Sequence, residues 1–116
     1  MKALIITTNG GGEIVELTKD FPGRLTELQR IVGGHIESAP TDGSVTIYVN
    51  EEGKLMDLPV NFEATFSWWE VAPWMRGADV LCGNVVIVGP PDHFGDDTDL
   101  PADHQFTLRY SNSGDE

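Results

Sequence analysis

Short alternating runs of apolar and polar residues dominate the first third of the chain, and they are typical of β-strands. Residues 2–8 are rich in Leu and Ile, and residues 13–17 alternate polar with apolar positions. Between them, Asn9-Gly-Gly-Gly12 supplies residues that accept positive φ angles. This pattern predicts a β-hairpin near the N-terminus.

A second pair of strand-like segments follows further along the chain. Residues 35–39 and 45–49 flank Pro40-Thr-Asp-Gly-Ser44, a cluster of turn-forming residues. We expect a second hairpin here. Residues 50–53 then predict another turn, and residues 55–58 a short extended piece that ends at Pro59.

One helix is predicted between the two hairpins. Pro22 suits the first turn of a helix, and apolar residues then recur at helical spacing at Leu25, Leu28, Ile31 and Val32. Gly33-Gly34 supplies a helix stop.

A second helix is predicted from Phe62 to about Ala72. Asn61 is a suitable N-cap, Glu63 favours the helix dipole in the first turn, and Pro73 marks the end. Apolar residues also alternate from position 62 to 68, which is strand periodicity. Capping and length favour the helix.

The predicted second helix has two apolar faces. A turn of ~100° per residue places Phe62, Phe66 and Trp69 on one side. Nearly opposite lie Ala64, Trp68, Val71 and Met75. One face can pack on the sheet, and the other must meet another element of the chain, a partner or a ligand, because exposed Trp is uncommon.

The last third of the chain contains its most apolar run and its most acidic one. Residues 78–82 and 84–89 predict a central strand buried on both faces, ending at Pro90-Pro91. Residues 105–110 alternate apolar with polar positions, which predicts an edge strand. Residues 111–116 are expected to be a loose end.

Together these elements predict a single compact α+β domain over residues 1–110. Its core is a small mixed or antiparallel sheet of about five strands, built from β-hairpins, with two helices packed on it. Residues 91–104 are expected to form an acidic loop. A chain of 116 residues is long enough for one hydrophobic core.

Charge narrows the choice of partner. Nineteen Asp and Glu against seven Lys and Arg give a net charge of -12, which repels nucleic acid and anionic membranes. We expect no direct binding to either. The acidity favours a basic protein surface, as in a nucleic-acid mimic, or serves only solubility.

Cysteine content and the N-terminal pattern predict a cytoplasmic protein. Cys82 is the single cysteine, so no internal disulfide can form, which suits a reducing compartment. Met1-Lys-Ala-Leu-Ile-Ile-Thr-Thr8 lacks the apolar core and cleavage site of a signal peptide.

One acidic cluster is dense enough to consider as a metal site. It comprises Asp92, His93, Asp96, Asp97, Asp99, Asp103 and His104. Its spacing does not match an EF-hand loop, so a solvated loop is favoured over a metal-dependent enzyme. No residue is predicted to be catalytic, to bind a metal or to hold a cofactor, and the chain is not predicted to be an enzyme.

A signature runs through the middle of the chain. It consists of Tyr48-Val-Asn-Glu-Glu-Gly-Lys-Leu55, Leu58-Pro-Val-Asn61, Ala64-Thr65 and Gly83-Asn-Val-Val-Ile-Val-Gly-Pro-Pro-Asp92. It resembles a domain-of-unknown-function family of small proteins in actinobacteriophages, actinobacteria and mobile elements. The resemblance implies a compact α+β domain of phage type, with counter-defence as a role, and it brings no catalytic residues.

The leading functional prediction is a phage-type accessory protein that binds a host or phage protein. The interaction candidates are Trp68, Trp69, Trp74, Asp96, Asp97 and Asp99, and the segment from Trp68 to Trp74 is also a candidate homodimer interface. Four signature residues, Asn50, Glu51, Asn61 and Thr65, are further candidates, each with a structural role as the alternative. A nucleotide or small-molecule sponge, with a pocket between the sheet and the aromatic helix, is the alternative function.

Overall fold

The computed structural model describes residues 1–111 and contains one sheet with helices on both of its faces. The strands are β1 (Lys2–Ile6), β2 (Gly12–Glu16), β3 (Ile36–Ala39), β4 (Thr46–Asn50) and β5 (Val85–Val88). The helices are α1 (Phe21–Val32), α2 (Phe62–Val71) and α3 (Gln105–Tyr110), with a 3₁₀ turn at Pro73–Met75 after α2.

All strand pairs are antiparallel, in the order β2-β1-β5-β4-β3. The two predicted hairpins, β1-β2 and β3-β4, therefore flank the central strand β5. Every residue of β5 is buried, as the continuous apolar run predicted.

Each face of the sheet has its own hydrophobic core. On one face, Leu28 and Val32 of α1 pack with Val86 and Val88 of β5. On the opposite face, Trp68 of α2 and Phe106 of α3 belong to the core that contains Val85 and Ile87. The α2 and α3 helices therefore share the face that α1 leaves uncovered.

The predicted boundaries of α1 and α2 agree with the structure to within about a residue. Asp20 caps α1 by accepting a hydrogen bond from the backbone N–H of Gly23 at 3.1 Å. Gly33 ends α1 in the left-handed conformation, with φ of 84°. Asn61 caps α2, and Ala72 ends it directly before Pro73.

The prediction of an edge strand at residues 105–110 was wrong, because this segment is helix α3. His104 caps the helix by accepting a hydrogen bond from the backbone N–H of Phe106 at 3.0 Å. Phe106 and Tyr110, four residues apart, both contact the α2-side core, whereas Leu108 is 58% exposed. A strand would have placed all three side chains on one face. In the helix, Phe106 and Tyr110 are one turn apart and share the buried face, whereas Leu108 does not.

Two smaller predictions also need correction. Residues 55–58 are not extended but form consecutive turns, in which Met56 N–H donates to Glu52 C=O and Leu58 N–H to Gly53 C=O, both at 2.9 Å. Residues 78–82 lie outside the central strand, and only Cys82 makes an isolated bridge, to Val60.

The fold class is confirmed as α+β with a five-stranded antiparallel sheet, and residues 1–111 contain three α-helices instead of the two predicted. Residues 89–104 contain no helix or strand. The predicted loose end at residues 111–116 lies, after Ser111, outside the described residues. Within residues 1–111, no helix has the length and apolarity needed to cross a membrane.

We predict that His104 makes the stability of the protein fall as pH drops below about 6.5. Burial lowers the pKa of His104, against the opposing effect of Asp42, so the folded protein binds fewer protons than the unfolded chain in this range. Protonation also removes the Nδ1 lone pair that caps α3. The contribution of His104 to the free energy of unfolding should therefore decrease between about pH 7.5 and about pH 5.5, by no more than the ~1 kcal/mol that a helix cap supplies.

The control is His104→Asn, which keeps a side-chain cap without a titrating group. Urea unfolding at both pH values should show a smaller pH dependence for this variant than for the natural sequence. Equal pH dependence in the two proteins would contradict a role for His104.

Candidate functional site

Asn61, a signature residue, joins three parts of the fold through one buried side chain. Its Oδ1 accepts a hydrogen bond from the backbone N–H of Ala64 at 3.0 Å, which caps α2. Its Nδ2 donates to the carbonyl of Ile6 at 3.0 Å and to the carbonyl of Gly83 at 2.9 Å. Asn61 therefore positions the start of α2 against the end of β1 and the approach to β5.

Two further signature residues also act inside the fold. Asn50 is buried, donates to the carbonyl of Val32 at 3.1 Å, and accepts from the N–H of Glu52 at 2.8 Å. Thr65 is buried and accepts from the N–H of Leu81 at 2.9 Å. Both side chains satisfy backbone groups inside the fold, and Asn50 also lines the cleft described below.

Glu51 differs from these residues because its side chain is exposed. One of its carboxylate oxygens lies 3.4 Å from Nδ1 of His35. Among the four signature candidates, Glu51 is thus the one placed to contact a partner.

The acidic loop is anchored to the α1 side of the sheet by Asp97. Asp97 accepts a hydrogen bond from Arg24 Nε at 3.0 Å and another from the hydroxyl of Tyr48 at 2.6 Å. Both side chains of the ion pair are almost completely buried. Burial and the adjacent Asp97 carboxylate raise the pKa of Tyr48, so its hydroxyl keeps its proton and donates.

The other acidic candidates are placed differently. Asp99 accepts from the backbone N–H of Lys2 at 2.7 Å. Asp96 has an exposed side chain. Asp92 accepts from the N–H groups of Phe94 and Asp96 within its own turn, at 2.9 and 3.0 Å. Asp99 and Asp92 therefore serve the conformation of the loop, and all three side chains are exposed to solvent.

The side chains of the acidic loop do not converge on one point. Asp97 faces Arg24, His104 caps α3, and Asp99 bonds to β1. In residues 1–111, no group of three or more His, Cys, Asp or Glu side chains is arranged to hold a metal ion.

The three Trp candidates have different environments. Trp68 is 1% exposed and donates from Nε1 to the carbonyl of Pro40 at 2.7 Å. Trp69 is half-buried, donates to the carbonyl of Asp79 at 3.1 Å, and has Arg76 over its ring at 5.9 Å. Trp74 is 57% exposed. Trp68 is therefore a core residue, and only the other two reach the surface.

The exposed apolar face of α2 consists of Phe62, Phe66 and Trp69, which we name the α2 stripe. Phe62 is 66% exposed and Phe66 is 57% exposed. The Phe66 and Trp69 rings meet edge to face, with centroids 5.6 Å apart. The helical spacing in the sequence predicted this apolar face. Whether another part of the chain covers it depends on where α3 packs.

Helix α3 packs against a different side of α2. Arg109 of α3 forms an ion pair with Glu70 at 2.8 Å, and Gln105 donates to the same carboxylate at 2.8 Å. The hydroxyl of Tyr110 donates to Glu63. Desolvation is the main cause, and this hydrogen bond the second, that raises the pKa of Tyr110 to about 12. The contacts that hold α3 therefore leave the α2 stripe exposed.

A cleft of about 230 Å³ opens beside β3 and β4, on the same face of the sheet as α2. Apolar walls come from Ala39, Val49, Leu55, Trp68 and Leu81. Four acidic residues, Glu37, Glu51, Glu52 and Asp79, and one base, Lys54, line it as well. The sequence predicted a pocket between the sheet and the aromatic helix but not these lining residues, because they come from four separate segments, although the signature segment 50–55 supplies much of the lining.

Two of the lining residues, Lys54 and Asp79, neutralise each other by forming an ion pair. The hydrogen bond from Lys54 lowers the pKa of Asp79, so this carboxylate stays ionised. The three glutamates remain as an excess of negative charge around an apolar floor.

The fold defines the class of the protein, a small α+β domain whose antiparallel sheet is covered by helices on both faces. A family model described as Domain of unknown function (DUF3846) matches residues 1–111, and the chain belongs to that family. No curated protein and no solved structure was found to match the chain.

We predict that the signature stabilises the fold through Asn61. Asn61→Ala should lower the free energy of unfolding by about 2–4 kcal/mol, because it removes the cap of α2 and leaves two buried carbonyls without their donor. Glu51→Ala is the matched control and should change it by less than about 0.5 kcal/mol. Urea denaturation measures both, and similar effects for the two variants would contradict this assignment.

The two neighbouring acids Asp96 and Asp97 provide a second test. Asp97→Asn should destabilise the protein by about 3 kcal/mol, because it leaves the buried Arg24 guanidinium without a carboxylate. Asp96→Asn, at an exposed site, should stay within about 0.5 kcal/mol of the natural sequence. Equal melting temperatures for the two variants, or a lower one for Asp96→Asn, would show that the ion pair does not anchor the loop.

Proposed function

We propose that this protein acts by binding another protein, and that the α2 stripe is the surface through which it does so. The observation that carries the proposal is the exposure of Phe62 and Phe66 next to the half-buried Trp69. Contiguous exposed aromatic side chains mark interaction surfaces, where they act as anchors that fill apolar pockets. A helix with such a face suits the helix-in-groove mode of recognition.

Charge supports a partner whose groove has a basic rim. Of the seven Lys and Arg side chains, Lys2, Arg24, Lys54 and Arg109 already form ion pairs with Asp or Glu. Within residues 1–111, most carboxylates therefore lie outside these ion pairs, and the chain carries a net charge of -12. A basic rim would speed association and make it sensitive to salt.

The size of the α2 stripe favours a groove over a flat homodimer contact. Burying an aromatic side chain removes roughly 150–250 Å² from solvent, so three partly exposed rings offer on the order of 300 Å² per copy. Two copies would bury about half of what a stable interface needs, roughly 1,200 Å² or more. A groove that also contacts the flanks of α2 and Trp74, in the 3₁₀ turn after the helix, buries more surface.

The biological setting we propose is that of a phage-type accessory protein in the bacterial cytoplasm. Its role would be host takeover or counter-defence, with a host or phage protein as the partner. The support for this setting is the resemblance of the signature to proteins of actinobacteriophages and mobile elements. The single cysteine agrees with a reducing compartment.

The two alternative functions receive less support. A nucleotide sponge needs a site that tolerates phosphate, whereas three glutamates border the cleft. Trp68, which lines it, is too buried to offer a stacking face. A metal-dependent enzyme needs ligands that converge, and no group of three or more His, Cys, Asp or Glu side chains does so among the described residues; Asp97 and His104 bond to different parts of the fold.

The test is quantitative affinity capture from host lysate with the double variant Phe62→Ser, Phe66→Ser. Recovery of a specific partner should fall about ten-fold or more, because truncating an interface anchor costs upwards of ~1 kcal/mol each. Phe21→Ser is the matched control, since Phe21 is an exposed aromatic residue at the start of α1, on the opposite face of the sheet. It should leave recovery unchanged.

The captured partner then decides the proposal. A partner lost with the double variant, retained with Phe21→Ser and released by added salt supports it. A partner retained by the double variant would overturn the assignment to α2. If the natural protein self-associates in sedimentation equilibrium and the double variant does not, the α2 stripe forms a homodimer interface instead of binding a partner's groove.

A further inference from the structure

Strand β3 has an open edge that can accept another strand. It is the last strand in the order β2-β1-β5-β4-β3. The N–H of Glu51 donates to the carbonyl of His35 at 2.9 Å, which sets the alternation of the β3-β4 ladder. The N–H and C=O groups of Glu37 and Ala39 therefore face β4, and those of Ile36 and Ser38 point away from the sheet.

The same register directs side chains of β3 toward the cleft. Glu37 is paired with Val49 and Ala39 with Ile47, so these side chains lie on the α2 face of the sheet. Glu37 and Ala39 both line the cleft. A strand added to the edge of β3 would place alternate side chains on this face, next to the cleft opening.

The cleft has the size and chemistry for one long cationic side chain. Its volume of about 230 Å³ is smaller than that of sites for drug-sized ligands, roughly 300–1,000 Å³. The apolar walls at Val49 and Leu81 suit an aliphatic stem, and Glu37, Glu51 and Glu52 suit a positive head group.

We infer that the edge of β3 and the adjoining cleft form a docking strip for an extended peptide segment of a partner protein, with a Lys or Arg side chain seated in the cleft. Main-chain hydrogen bonds to Ile36 and Ser38 supply affinity, and the glutamates select the cation. Open edge, side-chain direction and charge complementarity all favour the same occupant.

This docking strip goes beyond the proposed function, because it uses none of the residues of the α2 stripe. Variants of Phe62 and Phe66 should leave peptide binding unchanged, and variants of the docking strip should leave the capture of an α2 partner unchanged. The failure of one proposal is therefore distinguishable from the failure of the other.

The probe is a fluorescein-labelled peptide of alternating Thr and Val with one central Arg, and its binding is measured by fluorescence anisotropy. The same peptide with citrulline in place of Arg should bind more weakly. Glu37→Gln and Glu52→Gln should each raise the Kd about two- to five-fold, the range for an opposite-charge pair across neighbouring strands. Glu13→Gln, an exposed glutamate on β2, is the matched charge control and should not change it.

Backbone recognition is tested with Ser38→Pro, which removes an outward N–H and should raise the Kd about ten-fold or more. The matched control is Glu16→Pro. Its N–H points away from the sheet on the opposite edge strand, because bonds at Leu17 and Thr7 set that ladder. Amide shifts in the NMR spectrum of the natural protein should concentrate at residues 36–39 and 50–55 when peptide is added.

Several outcomes would overturn the inference. They are equal binding of the Arg and citrulline peptides, equal weakening by Glu13→Gln and Glu37→Gln, loss of binding with Glu16→Pro but not with Ser38→Pro, and no binding at millimolar peptide. Amide shifts spread over the whole acidic surface would likewise show non-specific attraction.

Discussion

The burial of β5 on both faces is the constraint on which the rest of this structure depends. Four consecutive apolar residues, Val85–Val88, can be removed from water only if helices cover the sheet above and below. One α-helix covers one face, and two helices share the other. The hairpins then take the outer positions, which leaves β2 and β3 as edges.

Three buried polar residues of the signature serve this arrangement. Asn61 links the start of α2 to β1 and to the turn before β5, while Asn50 and Thr65 satisfy backbone groups at neighbouring junctions. Buried polar groups of this kind are costly to leave unpaired, so they specify one packing of the elements. The proposed interaction surfaces lie beside these residues, on α2 and along β3.

Local patterns were sufficient where hydrophobic periodicity, capping and turn residues agreed with one another. They predicted both hairpins, α1, α2 and the central strand. For the two helices, Asn61, Pro73 and Gly33-Gly34 mark boundaries independently of tertiary contacts. They failed for residues 105–110, where alternation indicated a strand but the His104 cap and the packing of Phe106 give a helix. Six residues are too few for periodicity to decide between the two.

The amino-acid sequence by itself determined the α+β class, the two apolar faces of α2 and the acidic excess, because all three follow from residue type and spacing. Only the tertiary structure decided which face of α2 stays exposed, since Ala64, Trp68 and Val71 pack into the core of the sheet and leave the α2 stripe on the outside. It also separated the buried, paired Asp97 from the exposed Asp96. Adjacent carboxylates are alike in sequence, and their environments differ only once distant segments such as α1 pack against them.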